Sequence, residues 1–282
     1  MLYLQACGRA GSRPEHGHLP AEHVGRSLRL ITDSHTHLTW HDYASDLDAV
    51  LARAQEAGVT RMLVVGTNLD TSRQCIELCR RHGELFPTVG IHPHDAAGVG
   101  QQDLAELAEL CALDECVAVG ETGLDFFKEY SPRADQERLF HAHLELALKL
   151  DKPVIIHCRD AHPATAEIIA EHPGVRGVMH CYSMGPEELP VYTEAGLHIS
   201  FSGALTYPAN EANREAARAV PAQLLLAETD CPFLAPQGRR GKRNEPAFVA
   251  AVVDELARLR GLSPSELAVL TSENATRLFN LG

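Results

Sequence analysis

Six short segments of this chain gather histidines and carboxylates. They are Asp33-Ser34-His35-Thr36-His37, Gly90-Ile91-His92-Pro93-His94, Glu121-Thr122-Gly123-Leu124-Asp125, His157-Cys158-Arg159-Asp160, His180-Cys181 and Glu228-Thr229-Asp230. The alternation of His35 and His37 puts both imidazoles on one side of an extended segment, which suits a shared metal ion. Glu121 and Asp230 offer carboxylates, and His157 and His180 offer further imidazoles. Singly, each has an ordinary explanation: an exposed histidine pair, a helix-capping glutamate, satisfied buried histidines, or an aspartate opening a turn before Cys231-Pro232. Jointly they describe a hydrolytic metal centre, provided that the fold brings them together.

What precedes each segment supplies that fold. Short apolar runs recur at residues 30–32, 61–65, 88–91, 117–119, 154–156, 177–179, 198–201 and 224–227, the third being the weakest. Stretches of helical period separate them. Leu47, Val50, Leu51 and Ala54 share a face, with Ser45 as the expected cap and Gly58 as the stop. Leu139, Phe140, His143, Leu144, Ala147 and Leu150 repeat the pattern. A last helix is expected within residues 247–259, capped through Asn244-Glu245-Pro246. Buried strands alternating with helices imply a parallel sheet covered on both sides. Eight such units in about 250 residues predict an α/β fold of the (β/α)8 TIM-barrel class, a single domain over residues 30–282. The polar segments follow six of the eight runs, and the C-terminal strand ends of such a barrel open on one face.

Composition narrows the alternatives. At 282 residues, 45% hydrophobic and 22% charged, the chain reads as an ordinary globular protein. Its eight cysteines include no C-x-x-C pair, so neither a zinc ribbon nor a thioredoxin-like motif is present, and free thiols suit a reducing cytoplasm. Residues 1–29 lack periodicity and a signal-peptide pattern, and are expected to be a poorly ordered extension. No membrane span is expected, and the protein is expected to be a cytoplasmic monomer. Aromatic residues make up only 5%, which argues against a surface built mainly to stack bases, and the net charge of −13 opposes a polyanion at long range.

The chain resembles the TatD family of metal-dependent deoxyribonucleases, within the amidohydrolase-like superfamily. The resemblance rests on Asp33-Ser34-His35-Thr36-His37-Leu38, Gly90-Ile91-His92-Pro93-His94 and Gly120-Glu121-Thr122-Gly123-Leu124-Asp125-Phe126. It continues through residues 152–161, Glu228-Thr229-Asp230-Cys231-Pro232-Phe233-Leu234-Ala235-Pro236, Gly241-Lys242-Arg243-Asn244-Glu245-Pro246 and Asn274-Ala275-Thr276-Arg277-Leu278-Phe279. It implies that His35, His37, Glu121 and Asp230 bind one divalent ion, with Glu121 bridging to a second held by His157 and His180. His92 matches a position that contacts the scissile phosphate. Two departures are visible: His180-Cys181-Tyr182-Ser183-Met184-Gly185 where the family usually has His-Cys-Phe-Ser-Gly, and Asp230-Cys231-Pro232 where it has Asp-Ser-Pro. Both are expected to bear on the substrate pocket.

The implied chemistry is coherent. Two divalent ions about 3.5–4 Å apart would offset phosphate charge and acidify an attacking water. Asp230 could take the proton, while Glu121 organises the pair. A protonated His92 and Arg159 would oppose transition-state charge, Arg159 being otherwise expected to pair with Asp160 or Glu121. Arg239, Arg240 and Lys242 crowd cations after the Asp230 segment and are expected to contact phosphates, whereas Arg243 suits a pairing with Glu245. Zinc, manganese and magnesium all remain compatible with the mixed nitrogen and oxygen donors. The expectation is thus a hydrolase acting on DNA from a 3′ end. Metal-assisted attack on a carbonyl (an amidohydrolase, lactonase or aminoacyl-tRNA deacylase) is the alternative reaction class, and a non-catalytic barrel is a third reading.

Overall fold

The computed structural model describes residues 30–282, so the expectation for residues 1–29 lies outside them. The apolar runs become eight parallel strands: β1 (Ile31–Thr36), β2 (Val59–Val65), β3 (Leu85–Val89), β4 (Ala118–Asp125), β5 (Val154–Arg159), β6 (Gly177–Met179), β7 (His198–Phe201) and β8 (Leu225–Ala227). They pair in sequence order from β1 to β8. Beyond β8 the chain returns to β1. Cys231 bridges Thr36 in parallel, the Asp230 N–H donates to the His35 carbonyl at 3.0 Å, and the His37 N–H donates to the Cys231 carbonyl at 2.9 Å. This is the (β/α)8 barrel, closed along the rim that carries the polar segments.

The outer layer comprises α1 (Leu47–Glu56), α2 (Leu69–Cys79), α3 (Gln101–Cys111), α4 (Arg133–Leu150), α5 (His162–Ala170), α6 (Leu189–Glu194), α7 (Glu211–Ala219), α8 (Val249–Arg260) and α9 (Pro264–Phe279). None of the described helices is long and apolar enough to cross a membrane. Inside the barrel, Leu63, Val65, Ala118, Ile155, Val178 and Leu226 from five strands form a separate apolar cluster with Ala275, Leu278 and Phe279 of α9. Side chains alternate along a strand with period two, so the residue two beyond inward Ile155 is His157, and the one two beyond Val178 is His180. The apolar plug and the polar mouth are successive layers of one interior.

Several local expectations are corrected. β1, β4 and β5 run past their apolar stretches, so His35, Glu121 and His157 lie within strands instead of after them. Ladder pairing continues through Gly123 with His157 and Asp125 with Arg159. β3 starts and ends earlier than the 88–91 run, at Leu85 and Val89. Asp46, not Ser45, stands at the start of α1, and its carboxylate is drawn away to Arg243 at 2.7 Å. Asn244 caps nothing: buried, it donates to the carbonyls of Thr229 and Phe233 at 2.9 and 2.6 Å, and α8 starts only at Val249, after the turn Pro246–Phe248. Arg243 therefore pairs with Asp46, while Glu245 takes Arg53 at 2.6 Å.

The helix expected last is followed by α9, which a reciprocal Ser263 and Glu266 capping box begins. It closes the N-terminal end of the barrel. Ser272 accepts from the Thr32 N–H at 2.9 Å, and the Asn274 amide donates to the carbonyls of Ala222 and Leu225, both at 2.8 Å. Asn274→Ala strands two carbonyls at a buried joint, and the expected loss is about 2–4 kcal/mol. Urea unfolding should show a lower midpoint with unchanged slope. An unchanged midpoint would show that α9 does not depend on this joint.

His143 supplies a pH dependence. It is fully buried, its Nδ1–H donates to the Leu139 carbonyl at 2.8 Å, and its Nε2 accepts from the Ile91 N–H at 3.1 Å. Burial pushes its pKa down to about 4. The folded value lies below the unfolded one, so this contribution is complete above about pH 6.5 and drains away as pH falls towards 4. Between pH 7 and pH 4.5 it should remove about 2–3 kcal/mol. Comparing urea midpoints of the native chain and His143→Gln at both values checks this: the variant should lose less on acidification, and equal losses would locate the acid sensitivity elsewhere.

Candidate metal centre

The strand order brings five of the six ligand candidates to one point from four strands, and Asp230 joins them from the loop after β8. Two backbone features make the close approach possible. Gly123 has φ +129°, and a Cβ there would overlap the His157 carbonyl across the β4–β5 ladder, so only glycine lets β5 carry His157 this close. Asp230 adopts the left-handed conformation at φ +57°, which turns the chain out of β8 towards β1.

Glu121 lies at the centre, and its two oxygens face different partners. Oε2 is 3.5 Å from His35 Nε2 and 3.7 Å from His37 Nε2. Asp230 Oδ1 completes that side, 3.8 and 3.5 Å from the same two nitrogens, which are 3.2 Å from each other. Oε1 is 3.0 Å from His157 Nδ1 and 2.9 Å from His180 Nε2, and those nitrogens are 3.3 Å apart. Four donors placed tetrahedrally at the usual zinc–nitrogen distance of about 2.0–2.1 Å are about 3.3–3.4 Å apart. The observed spacings scatter about that edge.

Tautomers strengthen the fit. His37 Nδ1 faces the Val65 carbonyl at 3.3 Å, His180 Nδ1 faces Glu228 Oε1 at 3.3 Å, and His157 Nε2 faces Asp125 Oδ2 at 3.4 Å. With those nitrogens donating, the opposite nitrogen of each neutral ring turns a lone pair towards Glu121. Lone pairs facing carboxylate oxygens repel unless a cation lies between them, so the donor set suits a metal ion. His92 differs. Its Nδ1 accepts from the His94 N–H at 3.1 Å, which leaves the proton on Nε2, 3.5 Å from Glu121 Oε1. His92 therefore presents an N–H to the cavity where the others present lone pairs.

The electrostatics agree. Burial opposes the charged form of Glu121, yet the surrounding histidines, His180 first among them, hold its pKa well below the usual range. Burial likewise works against protonated His180, but Glu121 and Glu228 hold it well above the ordinary value. His157 is raised against burial by Asp125 and Glu121, and Asp230 is lowered against burial by its bond to His37. The cluster attracts positive charge. His92 is pushed well down, first by burial, in keeping with an Nδ1 that accepts the His94 N–H.

The residues that hold these rings share the candidate ligands' segments. Asp125 Oδ2 accepts from His94 Nε2 at 2.8 Å as well as facing His157. Glu228 accepts from the Cys181 N–H at 2.7 Å as well as facing His180. Asp33 accepts from the Thr229 backbone and hydroxyl at 2.9 and 2.7 Å, tying β1 to the segment that ends in Asp230. Their position is the signal that finds them: Asp33 and Glu228 lie two residues from a candidate ligand, and Asp125 lies four from Glu121.

His37, His92, Glu121, His157, His180 and Asp230 open on a cavity of about 930 Å³, with His35 buried behind them. Arg159 lines it too, pairs with neither Asp160 nor Glu121, and lies over the Phe127 ring at 4.0 Å. Arg239, Arg240 and Lys242 are exposed on the loop after β8 and do not line the cavity. Arg239 lies over Phe248 at 5.1 Å and Arg240 over Tyr207 at 4.6 Å. Met184 packs against the core and Cys231 is fully buried, so neither side chain lines the cavity, whereas Tyr182, the other change within the first departure, does.

The chain is similar to known proteins along nearly the whole barrel. The sequence profile of a family described as TatD related DNase matches residues 32–280. A Bacillus subtilis relative, the uncharacterized metal-dependent hydrolase YabD, is 36% identical over 254 residues, covering 89% of this chain and 100% of its own. The 3′-5′ ssDNA/RNA exonuclease TatD of Erwinia tasmaniensis is 39% identical over 257 residues, covering 88% of this chain and 99% of its own. Among solved structures, the TatD homologue YjjV of Escherichia coli superposes with a TM-score of 0.85 at 30% identity, over 90% of this chain and 99% of that one. With the profile spanning nearly all of the barrel and relatives this similar along their full length, the chain belongs to the TatD family of hydrolases.

Proposed function

We propose that this protein uses two divalent ions to hydrolyse phosphodiester bonds, removing nucleotides from the 3′ end of single-stranded nucleic acid. The observation that carries the two-ion reading is Glu121, whose separate oxygens face separate donor sets. His35, His37 and Asp230 with Oε2 would hold one ion, and His157 and His180 with Oε1 the other. Ions so held would offset phosphate charge and make an attacking water more acidic. Only two carboxylates sit among these six donors, so two divalent ions would leave net positive charge for an anionic substrate.

The chain's own residues do the rest. Asp230, its pKa held low by His37, is ionised and able to accept the proton of the attacking water. Neutral His92 donates its Nε2–H to a phosphate oxygen, a role that needs no imidazolium. Arg159 brings a fixed cation to the rim. A carbonyl substrate would need none of this cationic lining, which favours the phosphodiester. The Erwinia relative's name supports single-stranded DNA or RNA as the polymer and the 3′ end as the start. The Arg239, Arg240 and Lys242 loop lies outside the cavity, where only a longer chain reaches it, so its proposed role is contact with phosphates away from the cut.

Glu121→Gln keeps the shape and removes the charge that both donor sets share. Activity on a single-stranded oligonucleotide should fall at least a hundredfold, tightly bound metal should drop below one equivalent, and the far-ultraviolet circular dichroism should stay native. Substantial turnover at saturating manganese would end the bridging role. Arg239→Ala with Arg240→Ala should raise KM for a long oligonucleotide at nearly constant kcat, with little change for a dinucleotide. The slope of log affinity against log salt should flatten by about 1.4 for two contacts, at about 0.7 per phosphate on single strands. An unchanged slope would make the loop a charged turn only.

A further inference from the structure

We propose that the loop between β4 and α4 is a nucleobase-stacking platform, formed by Phe127 and Tyr130 with Arg159 and Lys128 beside them, which holds an unpaired base of the substrate next to the centre. The inference rests on the nucleic-acid reading above and adds a binding subsite to it. Phe127 and Tyr130 are 55% and 66% exposed, although burying such rings is normally favourable. The large exposed hydrophobics elsewhere on the described surface, away from the mouth, are Leu30, Leu148, Val191, Leu262 and Val269, none of them aromatic.

The rings are held outward by a buried frame. Asp125 Oδ1 accepts from the N–H groups of Phe127 and Lys128 at 3.0 and 2.9 Å. Gln136 donates to the carbonyls of Asp125 and Ser131 at 3.2 and 2.9 Å, and the Ser131 hydroxyl donates to the His94 carbonyl at 2.7 Å. Asp125, Ser131 and Gln136 are all buried. A loop anchored this way presents its aromatics at small entropic cost on binding.

The location connects platform and centre. The Tyr130 ring meets that of His94 at 4.7 Å, and His94 meets His92 at 4.3 Å. Asp125 serves both, since its other oxygen faces His157. The occupant follows from the mixture of chemistries. The Arg159 guanidinium lies 4.0 Å from the Phe127 ring centre, and Lys128 Nζ lies 5.6 and 5.9 Å from the Phe127 and Tyr130 ring centres. No carboxylate pairs with either cation among the described residues. A purely apolar protein surface docking here would desolvate both charges for nothing. A single-stranded nucleotide gives the rings a π-face and the cations a phosphate at once. A paired base is already stacked, so the platform selects single strands.

The test uses the full chain carrying Glu121→Gln, which prevents cutting, and fluorescence anisotropy with labelled single-stranded oligonucleotides. Each oligonucleotide carries one abasic nucleotide at successive positions from the 3′ end. One position should weaken binding about five- to hundredfold, the usual range for one stacked base. Phe127→Ala with Tyr130→Ala should weaken the unmodified oligonucleotide comparably and abolish the penalty at that position alone. Phe127→Leu keeps apolar area without the ring and should resemble alanine. A penalty that persists in the double variant, or full rescue by leucine, would overturn the platform. If the native chain still shortens single strands in that case, the nucleic-acid reading stands and only the platform falls. A native chain that neither binds nor shortens single-stranded DNA or RNA would end both. Both rings are exposed, so their loss does not endanger folding.

Discussion

The Glu121 carboxylate is 3% exposed, and its ion-pairing partners among the described residues are all histidines: His35, His37, His92, His157 and His180. Burying an unpaired carboxylate costs several kcal/mol even after relaxation. Neutral imidazole lone pairs do not relieve that cost; protons or metal ions do. Much of the rest of the structure answers to this one arrangement. β4 has to carry Glu121 into the interior above Ala118 while β5 and β6 carry His157 and His180 in from the side. Glycine at 123 keeps the two strands in contact, Asp33 locks the returning Asp230 segment to β1, and Asn244 fastens that segment to the loop before α8.

Orientation matters as much as proximity. Each ligand ring with a partnered far nitrogen has it turned to an acceptor: a carbonyl for His37, Asp125 for His157 and Glu228 for His180. Such partners fix the tautomer and raise the basicity of the nitrogen that faces the ion. His92 has the opposite arrangement, with a backbone donor at Nδ1, and its proton is thereby sent into the cavity. One residue type thus offers lone pairs that suit a metal ion and an N–H donor within a single wall. The difference is set by what touches the far side of each ring.

The barrel and the convergence of the candidate residues were legible because both follow local rules. Period two carries Ile155 to His157 and Val178 to His180, and apolar runs spaced by helical stretches leave few topologies. What escaped depends on partners far away in sequence. Asp46 faces two arginines, including Arg243, which pulls it from the cap of α1. Asn244 satisfies carbonyls at 229 and 233 in place of opening α8. α9 was missed although its Ser263-to-Glu266 capping box is a sequence signal. Aromatic content of 5% is a bulk quantity and says nothing of placement, whereas Tyr130 and Phe233 line the cavity and Phe127 lies beneath the Arg159 that lines it.

A net charge of −13 poses the problem of how such a chain meets a polyanion. At physiological salt the Debye length is about 8 Å, so most surface carboxylates are screened from a strand lying in the cavity, and steering from a distance is lost along with repulsion. Recognition then has to be short-ranged. It falls to charge concentrated at the centre, to Arg159 at the rim, and to ring faces whose contribution salt hardly changes. On the proposed reading, each would act on groups that a duplex hides or holds rigid, whereas a frayed or single-stranded end would bring a phosphate to the ions gathered at Glu121 and a base to the aromatic loop together. An acidic surface around a small cationic and aromatic mouth would, on that same reading, therefore favour chain ends over internal duplex, before any base is read.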